Sequence, residues 1–410
     1  MFNRRRLDIR KYLKLKYFFV VSLIAFVCSL AVLGISGAIL ANKIKNSTIV
    51  YASDEKVYEI NDNNEVVEVF ESNDKVNESD TSSVREEVEV KEENISKPVS
   101  DKLSLCLLGE IMMGGEVGEN VSHSYASSFK KVYTKTRLSD FTYANFSTNI
   151  TSLDKIDNPK SSYIVTKDIL SALTALGIDT VSIASDHIID FPSDIIKNTI
   201  SLLEGNNIFV AGRKDTPVYF QKDDKRVAIV STNSVINGTS TLYTNEGISI
   251  YESNNFIKNI KEAKDNADVV IVDIHWGREY VYGVTDSMRK MAMLAVDNGA
   301  DLVIGSHAAG VYPIVTYKNV PIIYSLGYFI GDSDLYVGKE SFIFDITVSK
   351  ENKIEEIKMT PTYIKNKEEV LLYSEYDSVK CNEILSQYNN WQIENGLNCS
   401  VEDSVLKIKF

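Results

Sequence analysis

The sequence predicts an α/β fold with a largely parallel sheet at its centre and antiparallel strands towards its C-terminus. Two observations support this prediction. From Leu103 onward, short apolar runs alternate with stretches of helical periodicity, which is typical of parallel sheets covered on both faces. After Pro313, apolar runs follow one another across short polar turns instead. With 410 residues, 44% of them apolar, the chain can bury a large core.

The predicted strands are the apolar runs, most of which are bounded by polar or Gly residues. In chain order they are 103–109, 141–147, 179–185, 208–212, 227–233, 268–276 and 301–307. Lys318-Asn319 and Glu351-Asn352-Lys353 indicate two hairpin turns in the antiparallel part.

Three helices are predicted between these strands, at 167–177, 193–205 and 285–299. Each places apolar residues at helical spacing and ends in Gly, a residue that commonly terminates helices. Ser193 and Thr285 are the predicted N-caps of the second and third helix.

The N-terminus predicts a membrane anchor. Residues 1–16 contain seven Arg or Lys and one Asp, and residues 17–41 are uncharged, where about 20 apolar residues cross a bilayer. The basic tail at 1–16 therefore lies in the cytoplasm, 17–41 is a transmembrane helix, and the rest is extracellular. The alternative is a signal peptide cleaved after Ala52, but the apolar run exceeds the usual ~7–15 residues of a signal core.

An acidic segment follows the anchor. Residues 51–100 contain 15 Asp or Glu against 5 Lys or Arg and few aromatic residues, so we predict a disordered linker over 42–101. The main domain is then 102–365, followed by a C-terminal extension at 366–410. The extension is either a capping helix and strand or a docking tail for a partner, and Cys381 and Cys399 within it are either a disulfide or two free thiols.

The net charge of −13 argues against a nucleic-acid partner, because such proteins need clustered Lys and Arg to displace counterions from phosphate. Residues 101–410 are also acidic on balance. Binding an acidic polymer would therefore require a local cationic cleft or bridging cations.

Three histidines share one context. His187, His275 and His307 each follow an apolar strand and open a polar loop, and Glu110 and Asp186 also lie at strand ends. Open α/β sheets bind ligands at the carboxyl ends of their strands, so we predict that these five side chains form one metal site. Imidazoles combined with carboxylates suit Mn, Fe or Zn.

Five motifs in this order resemble the bacterial capsule-synthesis CapA family of poly-γ-glutamate production, which belongs to the calcineurin-like metallophosphoesterase superfamily. They are LLGEIMMGG (107–115), FTYANFSTNIT (141–151), GIDTVSIASDHIIDF (177–191), the run from Val269 to Ile314, and VPIIYSLGYFIGD (320–332). The resemblance covers about 103–347. It implies a metallophosphoesterase-like layered sandwich of sheets flanked by helices.

The chain departs from the family at several metal motifs. Glu110 stands where the family usually has Asp, and Ser147 stands where it has a carboxylate. Asp186 replaces an amide, whereas the HWG motif is intact at His275. Of three usual imidazoles in the last motif, only His307 remains. These losses predict one divalent ion (Mn, Fe or Zn) or none.

The resemblance implies a role in making, exporting or anchoring capsular poly-γ-glutamate, together with the membrane proteins of polymer synthesis and export. Two mechanisms stay open: a non-catalytic assembly subunit, which the lost ligands favour, or a metal-dependent cell-surface hydrolase of phosphoester or amide bonds. In the hydrolase, His275 and His187 are the predicted catalytic residues. Arg278 is the third, and its guanidinium can bind a carboxylate through two hydrogen bonds.

Overall fold

The structure is a computed structural model. It describes residues 50–53, 56–60, 66–69, 102–121, 124–153, 163–214, 216–235, 247–280, 283–334 and 338–410. The predicted cytoplasmic tail at 1–16 and the transmembrane helix at 17–41 lie outside these residues. Within the described ranges, no helix combines the length and the hydropathy needed to span a bilayer.

Three short strands lie in the segment that the sequence predicts to be a disordered linker. They are β1 (Val50–Ser53), β2 (Lys56–Ile60) and β3 (Val66–Val69), which form a small sheet in that order. Strands β2 and β3 belong to a different compact unit from the main domain.

The main domain has eighteen strands in the described residues. They are β4 (Leu103–Ile111), β5 (Phe141–Phe146), β6 (Asn149–Thr151), β7 (Ile164–Thr166), β8 (Thr180–Ser182), β9 (Phe209–Ala211), β10 (Val218–Lys222), β11 (Lys225–Asn233), β12 (Val269–His275), β13 (Leu302–Ser306), β14 (Ile314–Tyr317), β15 (Val320–Ile323), β16 (Tyr328–Ile330), β17 (Glu340–Val348), β18 (Ile354–Lys365), β19 (Glu369–Leu372), β20 (Asn398–Glu402) and β21 (Val405–Lys409).

Eight α-helices connect these strands in the described residues. They are α1 (Gly115–Val121), α2 (Tyr133–Thr136), α3 (Ile169–Ala175), α4 (Ser193–Gly205), α5 (Ser253–Asn266), α6 (Asp286–Asp297), α7 (Tyr373–Tyr376) and α8 (Ser378–Glu394). The three predicted helices correspond to α3, α4 and α6. Thr285 caps α6 as predicted by accepting from the Met288 backbone N–H, but Ser193 is the first residue of α4 rather than its N-cap.

Two large mixed sheets form the domain. The ten-stranded sheet has the order β20-β21-β18-β17-β4-β5-β8-β9, with β16 paired to β4 and β19 to β18. The six-stranded sheet has the order β10-β11-β12-β13-β15-β14. In the six-stranded sheet the four central strands are parallel and both edge strands are antiparallel. In the ten-stranded sheet β4, β5, β8 and β9 are parallel up to one edge, and the other half, from β17 to β20, is antiparallel. Mixed α/β sheets flanked by helices are therefore confirmed.

The two sheets pack face to face, and alternate residues of each strand enter different cores. Leu105 and Leu107 of β4 pack with Ile271 of β12 in the core between the sheets. Cys106 and Leu108 face the opposite way, into the core beneath α1, α3 and α4. A third core lies between the six-stranded sheet and helices α5 and α6. Each sheet is thus covered by helices on one face and by the other sheet on its second face.

The antiparallel part follows the predicted turns. Lys318 and Asn319 both have positive φ, 49° and 63°, and join β14 to β15, as in a two-residue hairpin loop. Strands β17 and β18 form the longer hairpin around Asn352, whose φ is 63°.

The predicted C-terminal extension contributes to the main domain. Strands β20 and β21 extend the ten-stranded sheet through β18, and Leu385 of α8 packs into the core between the sheets. This arrangement matches the capping helix and strand rather than a free tail. Cys381 and Cys399 are separate thiols.

Candidate metal centre

The carboxyl ends of the parallel strands in both sheets supply the polar residues of one site. Within the six-stranded sheet, β12 and β13 are in a register that places His275 opposite Ser306 at their ends. His307 follows β13 directly and has a φ of 82°, a left-handed conformation that is uncommon for a residue with a side chain. Asp186 comes from the loop after β8 of the ten-stranded sheet.

Asp186, His275 and His307 converge. His275 Nε2 lies 2.9 Å from Asp186 Oδ1, and His307 Nδ1 lies 3.8 Å from the same oxygen. The two imidazole rings are 4.8 Å apart between centroids. The side chains of Asp186 and His275 are each only 1% exposed, so this cluster is shielded from bulk water.

The protonation of the cluster follows from its burial and its close pairs. Burial opposes the charged form of Asp186, but the hydrogen bond and charge of His275 outweigh it and hold the pKa of Asp186 well below its usual range. Burial likewise opposes a charged His275, yet the bond to Asp186 raises the pKa of His275. Burial and the neighbouring His275 lower the pKa of His307 to about 3, so His307 is neutral near pH 7.

Ser306 orients the central imidazole. Its Oγ lies 3.0 Å from His275 Nδ1, so the two ring nitrogens of His275 have different partners, one in each sheet. Such a contact fixes the ring so that Nε2 points at Asp186. Ser306 stands where the resemblance leads one to expect an imidazole, and it contacts the predicted ligand instead of acting as one.

Glu110 lies at the end of β4 and is 1% exposed. Ser147 Oγ donates a hydrogen bond to Glu110 Oε1, while Glu110 Oε2 has no hydrogen-bond partner. Burial raises the pKa of Glu110, and the charge of His275 partly offsets this effect. The electrostatic interactions with His275, Asp186 and His187 place Glu110 in the same neighbourhood as the cluster.

His187 is adjacent to Asp186 but makes different contacts. Its Nδ1 lies 3.2 Å from Asp190 Oδ2, and its ring packs on Tyr163 at 4.0 Å between centroids. Burial would lower the pKa of His187, but the bond to Asp190 and the charge of Asp186 raise it to about 9. The structure therefore brings three of the five predicted metal residues together and places Glu110 and His187 beside them.

The predicted Arg278 side chain is exposed and forms no hydrogen bond or ion pair with the other described residues. Its neighbour Glu279 instead turns inward, where Tyr328 OH donates to Glu279 Oε1. Because Tyr328 lies opposite Glu110 in the pairing of β16 with β4, this contact brings a further carboxylate near the site.

The donor set fits one divalent ion. Asp186, His275 and His307 each offer one ligand atom, and these three atoms lie within 4.8 Å of one another. A carboxylate with two imidazoles is a combination that binds divalent transition metals and zinc. The unpartnered Glu110 Oε2 is a fourth oxygen at the same end of the sheets.

Sequence reasoning missed the roles of Ser306, Tyr163 and Asp190. Ser306 appeared only as a lost ligand, and its contact with His275 depends on the register of β12 and β13. Asp190 carries a usable signal, because a carboxylate three residues after His187 lies on the same side of one helical turn.

Comparisons with known proteins agree with the motifs. The family described as bacterial capsule synthesis protein PGA_cap matches residues 104–333, more than half of the chain. The PGA biosynthesis protein CapA of Bacillus subtilis (strain 168) is 27% identical over 312 residues, which cover 72% of this chain and 81% of that protein. The capsule biosynthesis protein CapA of Bacillus anthracis is 28% identical over 259 residues, or 59% of this chain and 63% of that protein.

Among solved structures, the 5'-nucleotidase precursor from Thermus thermophilus is similar at 10% identity and a TM-score of 0.41. The similarity covers 70% of this chain and 59% of that chain.

Proposed function

The chain belongs to the bacterial capsule synthesis protein family PGA_cap, and from that premise we propose that it takes part in poly-γ-glutamate synthesis at the cell surface. One observation carries the proposal: the family match at 104–333 contains Glu110, Asp186, His275 and His307. The names of the two Bacillus relatives, a PGA and a capsule biosynthesis protein, support the same role.

We place the protein at the cell membrane with its main domain outside. The support is the uncharged run at 17–41 behind a strongly basic tail, which orients a single span with its N-terminus in the cytoplasm. Its partners in this proposal are the membrane proteins that synthesise and export the polymer. Protease digestion of intact cells tests the orientation: residues after 41 should be cleaved from outside, and protection of those residues would contradict it.

The domain in this proposal has a metallophosphoesterase-like architecture with one divalent ion, Mn, Fe or Zn, held by Asp186, His275 and His307. When bound, such an ion polarises an attached oxygen and lowers the pKa of water. The protein's own residues prepare the site: Ser306 fixes the His275 ring, and burial keeps His307 neutral and therefore able to donate its lone pair.

We favour a non-catalytic assembly role over hydrolysis. A two-ion centre needs a second set of ligands, and Ser147 and Ser306 stand at two of the places where the family resemblance leads one to expect them. Both hydroxyls are engaged with Glu110 and His275 instead. Ala309, at a third such position, is fully buried and has no donor atom.

One observation favours the alternative, a metal-dependent cell-surface hydrolase. Burial raises the pKa of Glu110 beside the cluster, and its Oε2 is unpartnered, so this carboxyl group can hold a proton and donate it to a leaving group. In that mechanism His275 and His187 are the catalytic imidazoles, and Arg278 binds the substrate's carboxylate.

The proposal is tested by deleting the gene and measuring extracellular poly-γ-glutamate, with the full chain and a His275→Ala chain returned on a plasmid. We expect deletion to abolish the polymer and the full chain to restore it. If the polymer persists after deletion, the proposed function is wrong. Restoration by His275→Ala, together with copurification of the synthesis proteins, supports the assembly role. Failure of that variant, together with metal-dependent phosphodiester or amide hydrolysis by the purified full chain, supports the hydrolase.

A further inference from the structure

A cavity lies at the end of β11, the strand that pairs with β12, and at the start of α5. It has a volume of about 220 Å³. Its polar lining comes from Lys214, Thr232, Ser249, Tyr251, Glu252, Asn255 and Asn259. None of the three clustered metal-site residues lines it, so it is a separate site. The volume is smaller than the ~300–1,000 Å³ of sites for drug-sized ligands, which favours one small chemical unit.

The backbone around the cavity is fixed by both sheets. The Lys214 N–H donates to Gly247 O at 2.7 Å, and the Ser249 N–H donates to Gly212 O at 2.8 Å, beside the end of β9. On the other side, the Asn233 N–H donates to Ser249 O and the Tyr251 N–H donates to Asn233 O, both at 2.8 Å. The cavity is therefore held in shape without a ligand.

Two groups in the lining can bind a ligand: the Asn259 side-chain oxygen, which is an acceptor, and the Lys214 side chain, which is a cation. Asn259 is 6% exposed, and its side-chain Oδ1 has no hydrogen-bond partner, which is costly for a buried acceptor. It requires an N–H or O–H donor. The Lys214 side chain is exposed at the cavity and offers a cation. A ligand that satisfies both carries an amide donor and an anionic group.

The remaining carboxylate at the cavity is already engaged. Glu252 accepts from the Asn254 and Asn255 backbone N–H groups at 3.1 and 2.9 Å and caps α5. These bonds lower the pKa of Glu252, and its carboxylate lies at the positive N-terminal end of α5. Lys214 is the one cationic side chain among the described lining residues.

We infer that this cavity binds one unit of a γ-linked glutamyl chain, with the carboxylate at Lys214 and the amide N–H at Asn259 Oδ1. This inference rests on the proposed function and names the site at which the polymer is held. The Lys214 cavity supplies the local cation that an acidic domain needs to hold an acidic polymer.

The test uses the purified full chain in detergent and a γ-linked tri-glutamate probe, with binding measured by calorimetry at low salt. Lys214→Gln should weaken binding about two- to fivefold, the loss that corresponds to one exposed charge pair. Lys290→Gln, which removes an exposed lysine from α6, is the matched control and should leave binding unchanged. A neutral analogue, the same γ-linked chain with its free carboxylates converted to carboxamides, should bind more weakly than the acid.

Asn259→Ala provides a second measurement of the amide contact, with its folding checked by thermal unfolding. It should weaken the binding of the acid and the neutral analogue alike. The inference is wrong if the wild-type chain does not bind the probe, if Lys214→Gln binds normally, or if Lys290→Gln loses as much affinity. Each of these results leaves the deletion experiment unaffected, so the two proposals fail separately.

Discussion

Two aspartates, Asp186 at the rim where the two sheets meet and Asp345 in the body of the sandwich, differ in how their surroundings affect the carboxyl group. At the rim, Asp186 is buried among imidazoles, and these neighbours lower its pKa despite burial. In the body of the ten-stranded sheet, half-buried Asp345 accepts a long 3.5 Å contact from Ser139, and burial raises its pKa to about 6 against the opposing charges of Lys358 and Lys135. The same side chain is thus stabilised as an anion in one region and destabilised in the other.

The metal-binding side chains at the rim come from both sheets. The ten-stranded sheet contributes the carboxylates Glu110 and Asp186 to the rim, and the six-stranded sheet contributes the imidazoles His275 and His307. Neither sheet alone provides the mixed donor set. The core between the sheets, which includes Leu107, keeps the two sheets packed together and so keeps the carboxylates near the imidazoles.

The largest expected effect is the loss of metal binding at the rim. His275→Ala should reduce the affinity for Mn or Zn by more than the ~10–100-fold that loss of an outer contact costs, because it removes one of three ligands. Elemental analysis and metal titration of the full chain measure this. His187→Ala is the matched control, since its ring contacts Asp190 and Tyr163 instead. Equal losses in both variants would make His187 a ligand and contradict the three-residue site.

The next largest effect is a loss of stability in the body of the sandwich. Leu107→Ala should lower the free energy of unfolding by about 2–5 kcal/mol, because it leaves a cavity between the sheets. Denaturant unfolding provides the measurement. Leu202→Ala, at a half-buried position on α4, should cost less. If Leu107→Ala were the milder variant, the core between the sheets would not be the part that holds the sandwich.

A smaller effect on metal binding tests whether Ser306 positions His275 at the rim. Ser306→Ala should weaken metal binding about 10–100-fold, because His275 loses the contact that orients its ring. Ser147→Ala is the comparison, and its effect should be smaller because its hydroxyl contacts Glu110 rather than the cluster. Metal titration measures the affinity of both variants. An unchanged metal affinity in Ser306→Ala would show that Ser306 does not position His275.

The smallest effect concerns Asp345 and pH. Its folded-state pKa of about 6 lies above the unfolded value of ~3.9, so the folded protein binds the proton more readily and loses stability as pH rises from about 4 to 6. Asp345→Asn should therefore be more stable than wild type by about 1–2 kcal/mol at pH 7, with the gain shrinking towards pH 4. Unfolding at several pH values measures it.

The control for this pH effect is Asp265→Asn, an exposed carboxylate on α5, which should change little with pH. A gain in Asp345→Asn that stayed constant from pH 4 to 7 would show that the titration of Asp345 does not cause it.

Helix α5 was not predicted, because the apolar periodicity of its sequence is weak. Its apolar residues, Phe256, Ile260 and Ala263, are few, and Asn259 occupies a position on the same buried face. No helix was predicted there, although Glu252 caps it clearly in the structure. In contrast, α4 has a broad apolar face and was predicted with its bounds, 193–205, unchanged.

The sequence by itself determined the central strands, the family and the residues at the strand ends, because apolar periodicity and ordered motifs are local properties of the chain. It did not predict β6, β7 and β10, and it predicted a disordered linker where β1, β2 and β3 lie. Only the tertiary structure decided which of these residues meet. Asp186 and His275 are 89 positions apart and come from different sheets, and their contact depends on how those sheets pack. Side-chain direction at a strand end is set by register and packing, so His275 and His307 share one carboxylate while His187, adjacent to it in sequence, turns to Asp190.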